Sequence, residues 1–518
     1  MKILLLWPKF PNTFWSFKYT LPFIGKRAAF PPLGLLTVAA LLPKEWDKKL
    51  IDLNIQKLTE KDLSLADFVF ISAMIVQKES VKEIINLAKK FNKKIIAGGP
   101  LFTTGYEEFL EDIDHFVLGE AEVSLPSFLE DFKSGSLKKI YPVREERDFT
   151  NRLSGEELSN GGYKPNQWPD IKQTPVPLWE LIDMKKYASM SIQYSRGCPF
   201  NCEFCDIVLL NGRVQRTKDK EQISRELDVL YNRGWRGSVF FVDDNFIGNK
   251  LKLKEEILPA LIKWMGKKKY PFDFNTQASI NLADDRELME LMVEAGFDTV
   301  FVGIESPNEE SLKECGKFQN INRNLLESIR IIQNRGLQVQ AGFIIGFDQD
   351  TLSIFDRMIL FIQKSGIVTA MVGLLQAPPK TRLWERLKRE ERLISQPTGS
   401  NTDCTINFIP KMNLHSLISG YKRTINHIYS PQNYYQRLMH FLKAYKPREK
   451  INYRFDLNQF LAFLKSIWVL GIREKERSYY WKVFFWSLFR KPKLFPIIIE
   501  MTIKGFHFRK ISEEYSSF

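Results

Sequence analysis

Apolar positions along this chain gather into short unbroken runs, separated by longer stretches in which they recur every third or fourth residue. The first run, Lys2–Trp7 (KILLLW), reads as a buried strand. Further strand-like runs lie at 49–52, 68–72 (FVFIS), 94–97 (KIIA) and 115–118 (HFVL). Helical spacing alternates with them at Leu33–Leu42, Ser80–Phe91 and Glu122–Phe132, and Pro31-Pro32 opens the first helix. This alternation predicts α/β architecture, with a Rossmann-like doubly wound parallel sheet over 1–135. Ligands of such sheets sit at the carboxyl ends of the strands. Those ends hold Asp52, Ser72, Gly98-Gly99-Pro100 and Gly119-Glu120, and the paired glycines allow a close backbone approach to a bulky ligand. A loop rich in aromatics, from Phe10 and Phe14-Trp15 to Phe30, separates the first strand from the first helix.

Residues 136–188 are polar and proline-containing, the composition of a connector. They include Arg144-Glu145-Glu146-Arg147 and Ser159-Asn160-Gly161-Gly162. From 189 to 395 six strand-like runs return, at 190–195, 238–243, 272–277, 298–304, 338–345 and 368–375. Amphipathic helices stand between them, clearest at Glu221–Tyr231 and Glu287–Ala295. Six such units predict a partial (β/α)6 barrel with its chemistry at the carboxyl ends of the strands. That rule marks Asp243-Asp244-Asn245, Gln277 with Ser279, Glu305-Ser306, Gly342–Asp348 and Leu374–Gln376. The same residue types also favour helix caps and turns. Residues 396–518 predict a helical extension, with helices at Pro431–Tyr445 and Leu457–Gly471. Its stretch Tyr479–Pro492 mixes aromatics with Lys and Arg, which suits an interfacial helix on an acidic bilayer. A helix docked on the barrel is the simpler reading.

The chemistry concentrates after the first barrel strand. Cys198, Cys202 and Cys205 stand at C-x3-C-x2-C spacing in one loop, flanked by Gly197 and Pro199. Three thiolates so spaced can hold one face of a cubane iron–sulfur cluster and leave one iron open to a small molecule. A structural zinc site needs four protein ligands, and no second CxxC or spaced His pair occurs. The loop, with the aromatic Phe204 before its last cysteine, resembles the radical S-adenosylmethionine (radical SAM) superfamily. That resemblance implies a 4Fe–4S cluster on Cys198, Cys202 and Cys205. S-adenosylmethionine would chelate the open iron and yield a 5′-deoxyadenosyl radical. It also implies that Asp243 and Asp244 hold the amino group of S-adenosylmethionine and that the Gly346 segment contacts adenine. Phe204, Gln277, Ser279 and Glu305 complete that cofactor set, with Glu305 suited to ribose hydroxyls. Arg213, Arg216 and Lys218 could hold a carboxylate or form a solvated basic turn. Cys315 is either a substrate-facing thiol or a small core residue. No residue is singled out as catalytic.

The first domain resembles the cobalamin-binding domain found ahead of many radical SAM domains. Asn54, Ser72, Gly98, Gly99 and Glu120 then become its cofactor-binding set. It departs from the family's Asp-x-His-x-x-Gly motif: the stretch here is Asp52-Leu53-Asn54-Ile55-Gln56-Lys57. Asn54 stands in the place of the cobalt-ligating His. Domain order, the Pro31-Pro32-Leu33-Gly34 stretch and the strand-end motifs together resemble the hopanoid C-methylase-like family. The resemblance implies methylation of an unactivated carbon on a lipid-like substrate. It also implies a reducing electron donor such as a ferredoxin or flavodoxin. The alternatives are a radical SAM cyclase, an oxidative or rearranging enzyme, and a non-catalytic iron–sulfur protein that binds nucleic acid or senses redox state.

Composition narrows the setting. With 44% hydrophobic and 26% charged residues, this is the balance of a soluble globular protein. Five cysteines in 518 residues make no disulfide framework and fit a reducing cytoplasm. Met1–Pro8 lacks the features of a signal peptide, and no run reaches bilayer-spanning length. A net charge of +14 points to an anionic partner or surface and is the only feature favouring nucleic acid. A membrane surface met through the C-terminus accommodates the same charge.

Overall fold

The computed structural model describes residues 1–141, 168–447 and 457–516. The connector stretches Arg144–Arg147 and Ser159–Gly162 lie outside the described residues. The first sheet comprises β1 (Lys2–Trp7), β2 (Asp47–Asp52), β3 (Phe68–Ser72), β4 (Lys94–Gly98), β5 (His115–Val117) and β6 (Ile140–Tyr141). Its order is β2-β1-β3-β4-β5-β6, with every pair parallel. β1 is apolar on both faces because both are covered. Ile3 and Leu5 pack with Leu35, Leu36, Leu125 and Phe128, whereas Leu4 and Leu6 pack with Val81, Ile84 and Ile85. Each such side chain removed from water contributes about 1.5–3 kcal/mol. The chain leaves β1 for β2 on one side and returns to β3 on the other. This puts a crevice at the carboxyl ends of β1 and β3. β6 extends the sheet into the stretch read as connector; two residues are too few to show a period.

The second sheet holds β7 (Met190–Ile192), β10 (Gly237–Phe241), β11 (Phe272–Gln277), β12 (Phe297–Glu305), β13 (Gln338–Ile345) and β14 (Ala370–Leu374). All its pairs are parallel, in the order β14-β13-β12-β11-β10-β7. Two short strands, β8 (Ser195–Arg196) and β9 (Arg216–Thr217), pair antiparallel beside it. Strand alternation sorts the barrel's faces. Phe241, Phe274 and Phe297 pack outward under the helices. A Cβ on Gly342 would meet Phe301 and Met371, which marks those positions as inward-facing.

The C-terminal third is helical: Leu414–Tyr429, Pro431–Ala444, Leu457–Ser466 running on as Ile467–Arg473, Arg477–Arg490 and Phe495–Ser516. The last helix clamps the loop that follows β1. Phe14 stacks on Phe508 with ring centroids 4.2 Å apart. The buried His507 donates from Nε2 to the Phe14 carbonyl (2.9 Å) and accepts at Nδ1 from the Tyr19 amide (3.4 Å).

Candidate active site

The cysteine loop leaves the barrel after β7 and is closed at its base by the β8–β9 pair. Gly197 turns it with φ of +96°, and a Cβ there would lie 2.7 Å from the Val214 carbonyl oxygen. The Cys198 amide donates to the Gly212 carbonyl (3.1 Å) and the Glu203 amide to that of Cys315 (2.8 Å). Arg386 reaches in from the helix Arg382–Arg389, donating from Nε to Glu203 (2.7 Å) and from a terminal nitrogen to Asp348 (2.8 Å). The loop is therefore held from both sides, with all three thiols free of disulfides.

Burial pushes the three thiols up, and each feels the charge of a neighbouring cysteine or of Lys317. Lys317 pairs with Glu305 at 2.7 Å. Burial works against its charge, but Glu305 and Cys202 outweigh that and hold the ammonium above its usual value. Among the described residues, no three His, Cys, Asp or Glu side chains are grouped to hold a single metal ion. Free thiols along one pinned loop fit a cluster with several irons. The buried Gln319 Oε1, beside Cys202, lacks a protein partner, as a site left open for a ligand would show.

The strand-end residues divide into two groups. Asp243 is fully buried and accepts from the Tyr194 amide (3.2 Å), the Ser195 amide and the Ser195 hydroxyl. Burial nonetheless pushes it up to about 7. Its carboxyl fastens the stem of the cysteine loop. Asp244 accepts from the Gly197 amide (3.3 Å) and from Asn211 (2.9 Å), and is half-buried. The Ser279 amide donates to Asn245 (3.1 Å), with half-buried Gln277 ending β11 nearby. Glu305 ends β12 at a φ of +63°. Gly346, at a φ of +111°, donates its amide to Asp350 (2.9 Å) and turns the chain after β13. Phe204 packs on Phe347, centroids 6.2 Å apart. Cys315 is buried among Ile344, Phe347, Leu375 and Leu383, a core residue whose carbonyl anchors the loop.

The N-terminal sheet turns its carboxyl edge toward this loop. Glu120 receives Arg196 and Arg216, and Arg196 also forks onto Glu122 at 2.8 and 3.1 Å. Burial disfavours the Glu122 charge, but Arg196 holds its carboxyl down at about 2. Glu120 thus ties the N-terminal sheet to the stem of the cysteine loop. The expected basic turn resolves the same way: Arg216 belongs to this clamp, and Lys218 pairs with the buried Glu226. Gly98 and Gly99 are required by protein neighbours. A Cβ on Gly98 would lie 2.7 Å from the Val117 carbonyl oxygen, and one on Gly99 2.6 Å from Ser72 Oγ.

Asn54 is spent on the chain itself. Its side chain donates to the Pro8 carbonyl (3.2 Å) and Asp52 (2.7 Å) and accepts from the Phe10 amide (2.9 Å). Asp52 also accepts from the Tyr187 hydroxyl (2.9 Å). These residues fit cobalamin held without a side-chain ligand from position 54. Sequence reading missed Arg196, Glu122 and Arg386, whose partners Glu120, Arg196 and Glu203 lie 74 to 183 residues away, and Lys317, whose partner Glu305 stands across the turn that follows β12.

Comparison with known proteins settles the class. Residues 192–362 match the radical SAM superfamily, 27–129 a B12 binding domain, and 381–517 a domain of unknown function, DUF4070. An uncharacterized methyltransferase of Synechocystis is 41% identical over 99% of this chain and 92% of its own length. The hopanoid C-2 methylase of Rhodopseudomonas palustris is 34% identical over 93% of this chain and 88% of its own. The chain belongs to this family of B12-binding radical SAM methylases. This enzyme is a carbon methyltransferase, and its cofactors are a 4Fe–4S cluster, S-adenosylmethionine and cobalamin. The fold agrees. The radical S-adenosylmethionine methyltransferase TsrM of Kitasatospora setae, solved with cobalamin and cluster bound, superposes with a TM-score of 0.63 at 14% identity over the whole of both chains. The cobalamin-dependent enzyme OxsB superposes with a TM-score of 0.60 at 16% identity, over all of this chain and 80% of its own.

Proposed function

We propose that this methylase acts on a carbon of a large apolar, lipid-like substrate held between the aromatic loop after β1 and the barrel mouth. One observation carries the reading. The partly exposed Trp15 and Phe30 stand 5.5 and 5.2 Å from the inward-facing rings of Phe301 and Phe240. Four aromatics thus meet between the loop after β1 and the inward face of the barrel sheet, a surface suited to a hydrocarbon skeleton. The R. palustris relative's name supports a polycyclic lipid of the hopanoid class.

In this reading Cys198, Cys202 and Cys205 ligate the cluster. Asp244, Gln277, Ser279, Glu305, Gly346 and Phe204 border S-adenosylmethionine, and Ser72, Gly98 and Gly99 border cobalamin. When bound, these groups supply a hydrogen-abstracting radical and a methyl carrier. The chain's own residues fix the two cofactor edges against each other and keep water from the space between. A ferredoxin- or flavodoxin-like donor supplies the electron. The chain divides into a domain at 1–135, a connector at 136–188, a barrel at 189–395 and an extension at 396–518. The enzyme works in the cytoplasm, and a lipid substrate brings peripheral membrane contact through the C-terminus.

The test is anaerobic turnover of the reconstituted enzyme with a hopanoid in detergent micelles, read by mass spectrometry. A mass gain of one methylene per lipid, with 5′-deoxyadenosine formed, is the expected result. Methylation of water-soluble acceptors alone would overturn the substrate class. 5′-Deoxyadenosine without any methylated product would point to a radical enzyme that moves no methyl group.

A further inference from the structure

The helices Leu457–Arg473 and Arg477–Arg490 form a hairpin held together from within. The Ser466 and Tyr480 hydroxyls lie 3.0 Å apart, and Trp481 Nε1 donates to the Gly471 carbonyl (2.8 Å). Ala462, Leu470, Tyr480 and Phe484 are buried in a cluster that also takes in Phe23 of the loop after β1. That accounts for one face of each helix. On the first helix, Leu461, Leu464, Trp468 and Ile472 follow the three-and-four spacing of a second face and are exposed, Trp468 by 62%. On the second helix, Phe485, Leu488 and Phe489 are exposed, Phe489 by 78%. Large apolar side chains scattered singly need no explanation, but stripes of them mark an interaction surface.

Charge identifies what meets this surface. Residues 457–494 carry eight Lys or Arg and two acids, Glu474 and Glu476. Both acids are already paired with Arg509 of the last helix. The charge left to the surroundings is therefore positive, with Lys465, Lys482 and Arg490 exposed among the apolar residues. A second copy of the chain would bring the same basic face and be repelled. A bilayer surface with anionic headgroups satisfies both the apolar stripes and the cations. Among the described residues no helix is long and apolar enough to cross a membrane, which makes the contact one of adsorption.

We propose that this hairpin docks the enzyme on the surface of an anionic bilayer and that the loop after β1 connects that surface to the active site. Lys465 Nζ donates to the Pro22 carbonyl (3.0 Å), and Phe23 sits within the hairpin's core. The same loop carries Trp15 and Phe30 to the barrel mouth. The access route rests on the lipid-substrate reading; the docking itself does not.

The test sediments the full chain, without substrate, with phosphatidylglycerol–phosphatidylcholine vesicles and with phosphatidylcholine vesicles alone. About tenfold stronger binding to the anionic vesicles, weakened by salt, is expected. The Trp468→Ser/Phe489→Ser double variant should lose about tenfold in binding with unchanged circular dichroism, and Lys482→Glu/Arg490→Glu should abolish the preference for anionic lipid. Equal binding by wild type and both variants would overturn the proposal. So would variants that change only the oligomeric state, since the face would then join copies of the chain. Hopanoid turnover by the same variants in detergent is scored separately. Absence of hopanoid turnover by the wild type sinks the substrate reading and leaves the docking result standing.

Discussion

Arg196, on the stem of the cysteine loop, forks across Glu120 and Glu122 of the N-terminal domain, with all three side chains nearly buried. One guanidinium thus fixes the carboxyl edge of the cobalamin-binding sheet to the base of the cluster loop. Arg216 adds a second cation to Glu120 from the opposite strand of that stem, and stacks over Trp168 at 5.1 Å. Charge-assisted hydrogen bonds of fixed geometry thus hold the sheet edge and the loop stem in one arrangement, which a flexible interface between domains could not do.

Removing that guanidinium should be expensive. Arg196→Ala leaves two carboxylates buried beside a single remaining arginine, and the expected loss is about 3–5 kcal/mol in denaturant unfolding. Arg196→Lys should recover only part of it, because an ammonium cannot fork onto two carboxylates. Full recovery by Lys would show that charge alone, without the fork, makes the joint.

Replacing Cys198, Cys202 or Cys205 with Ala should abolish both the cluster's visible absorbance and cleavage of S-adenosylmethionine. Cys315→Ala should leave iron content unchanged, since that thiol is core packing, and cost about 1 kcal/mol in stability. S-adenosylmethionine cleavage by a Cys202→Ala protein without a cluster would refute the cysteine assignment.

Cobalamin supplied during anaerobic expression should be recovered at roughly one per chain. Its spectrum should lack a protein nitrogen ligand, because Asn54 is committed to Pro8, Phe10 and Asp52. Asn54→Ala should leave that spectrum unaltered while destabilising the domain by about 1–3 kcal/mol, the cost of orphaning the Phe10 amide and its partners. A spectral shift in the variant would place Asn54 against the cobalt.

Burial depresses His507 to about 4 from the usual 6.5. The folded protein therefore resists protonation that the unfolded chain accepts. Its contribution is complete above pH 6.5 and declines as the pH falls toward 4, by at most about 3 kcal/mol. Melting temperature measured across that window should fall with acidity, and His507→Gln should flatten the slope. An unchanged slope in the variant would assign the acid sensitivity to other groups.

Much of the architecture was legible in the sequence because it rests on local pattern. The apolar runs at 68–72 and 338–345 are the strands β3 and β13 as read, since strands buried on both faces leave continuous apolar stretches. The cysteine loop was legible because its spacing is itself the chemistry. The rest was not, for equally physical reasons. Arg196 meets Glu120 across 76 residues, and Arg386 meets Glu203 across 183. Ion pairs at such separations leave no periodic trace. The β8–β9 pair has two residues to a strand, too few to alternate. The strand-end position of Asp243 and Glu120 was legible, but their protein partners, Tyr194 and Ser195 for one and Arg196 and Arg216 for the other, were not. The aromatic C-terminus combines the two faces the sequence offered as alternatives: Tyr480, Val483 and Phe484 are docked, while Phe485 and Phe489 are exposed.

The contact between Phe14 and His507 joins residues 493 positions apart. During synthesis the N-terminal sheet, the cysteine loop and the barrel all leave the ribosome before the helix that holds the loop after β1 in place. At a typical pace of about 5–20 residues per second, roughly 25–100 seconds separate the emergence of the two partners. Throughout that interval the loop after β1 lacks its C-terminal fastening. Its aromatic residues reach their final packing only once the last helix has left the ribosome, so the two ends of the chain close the structure together and last.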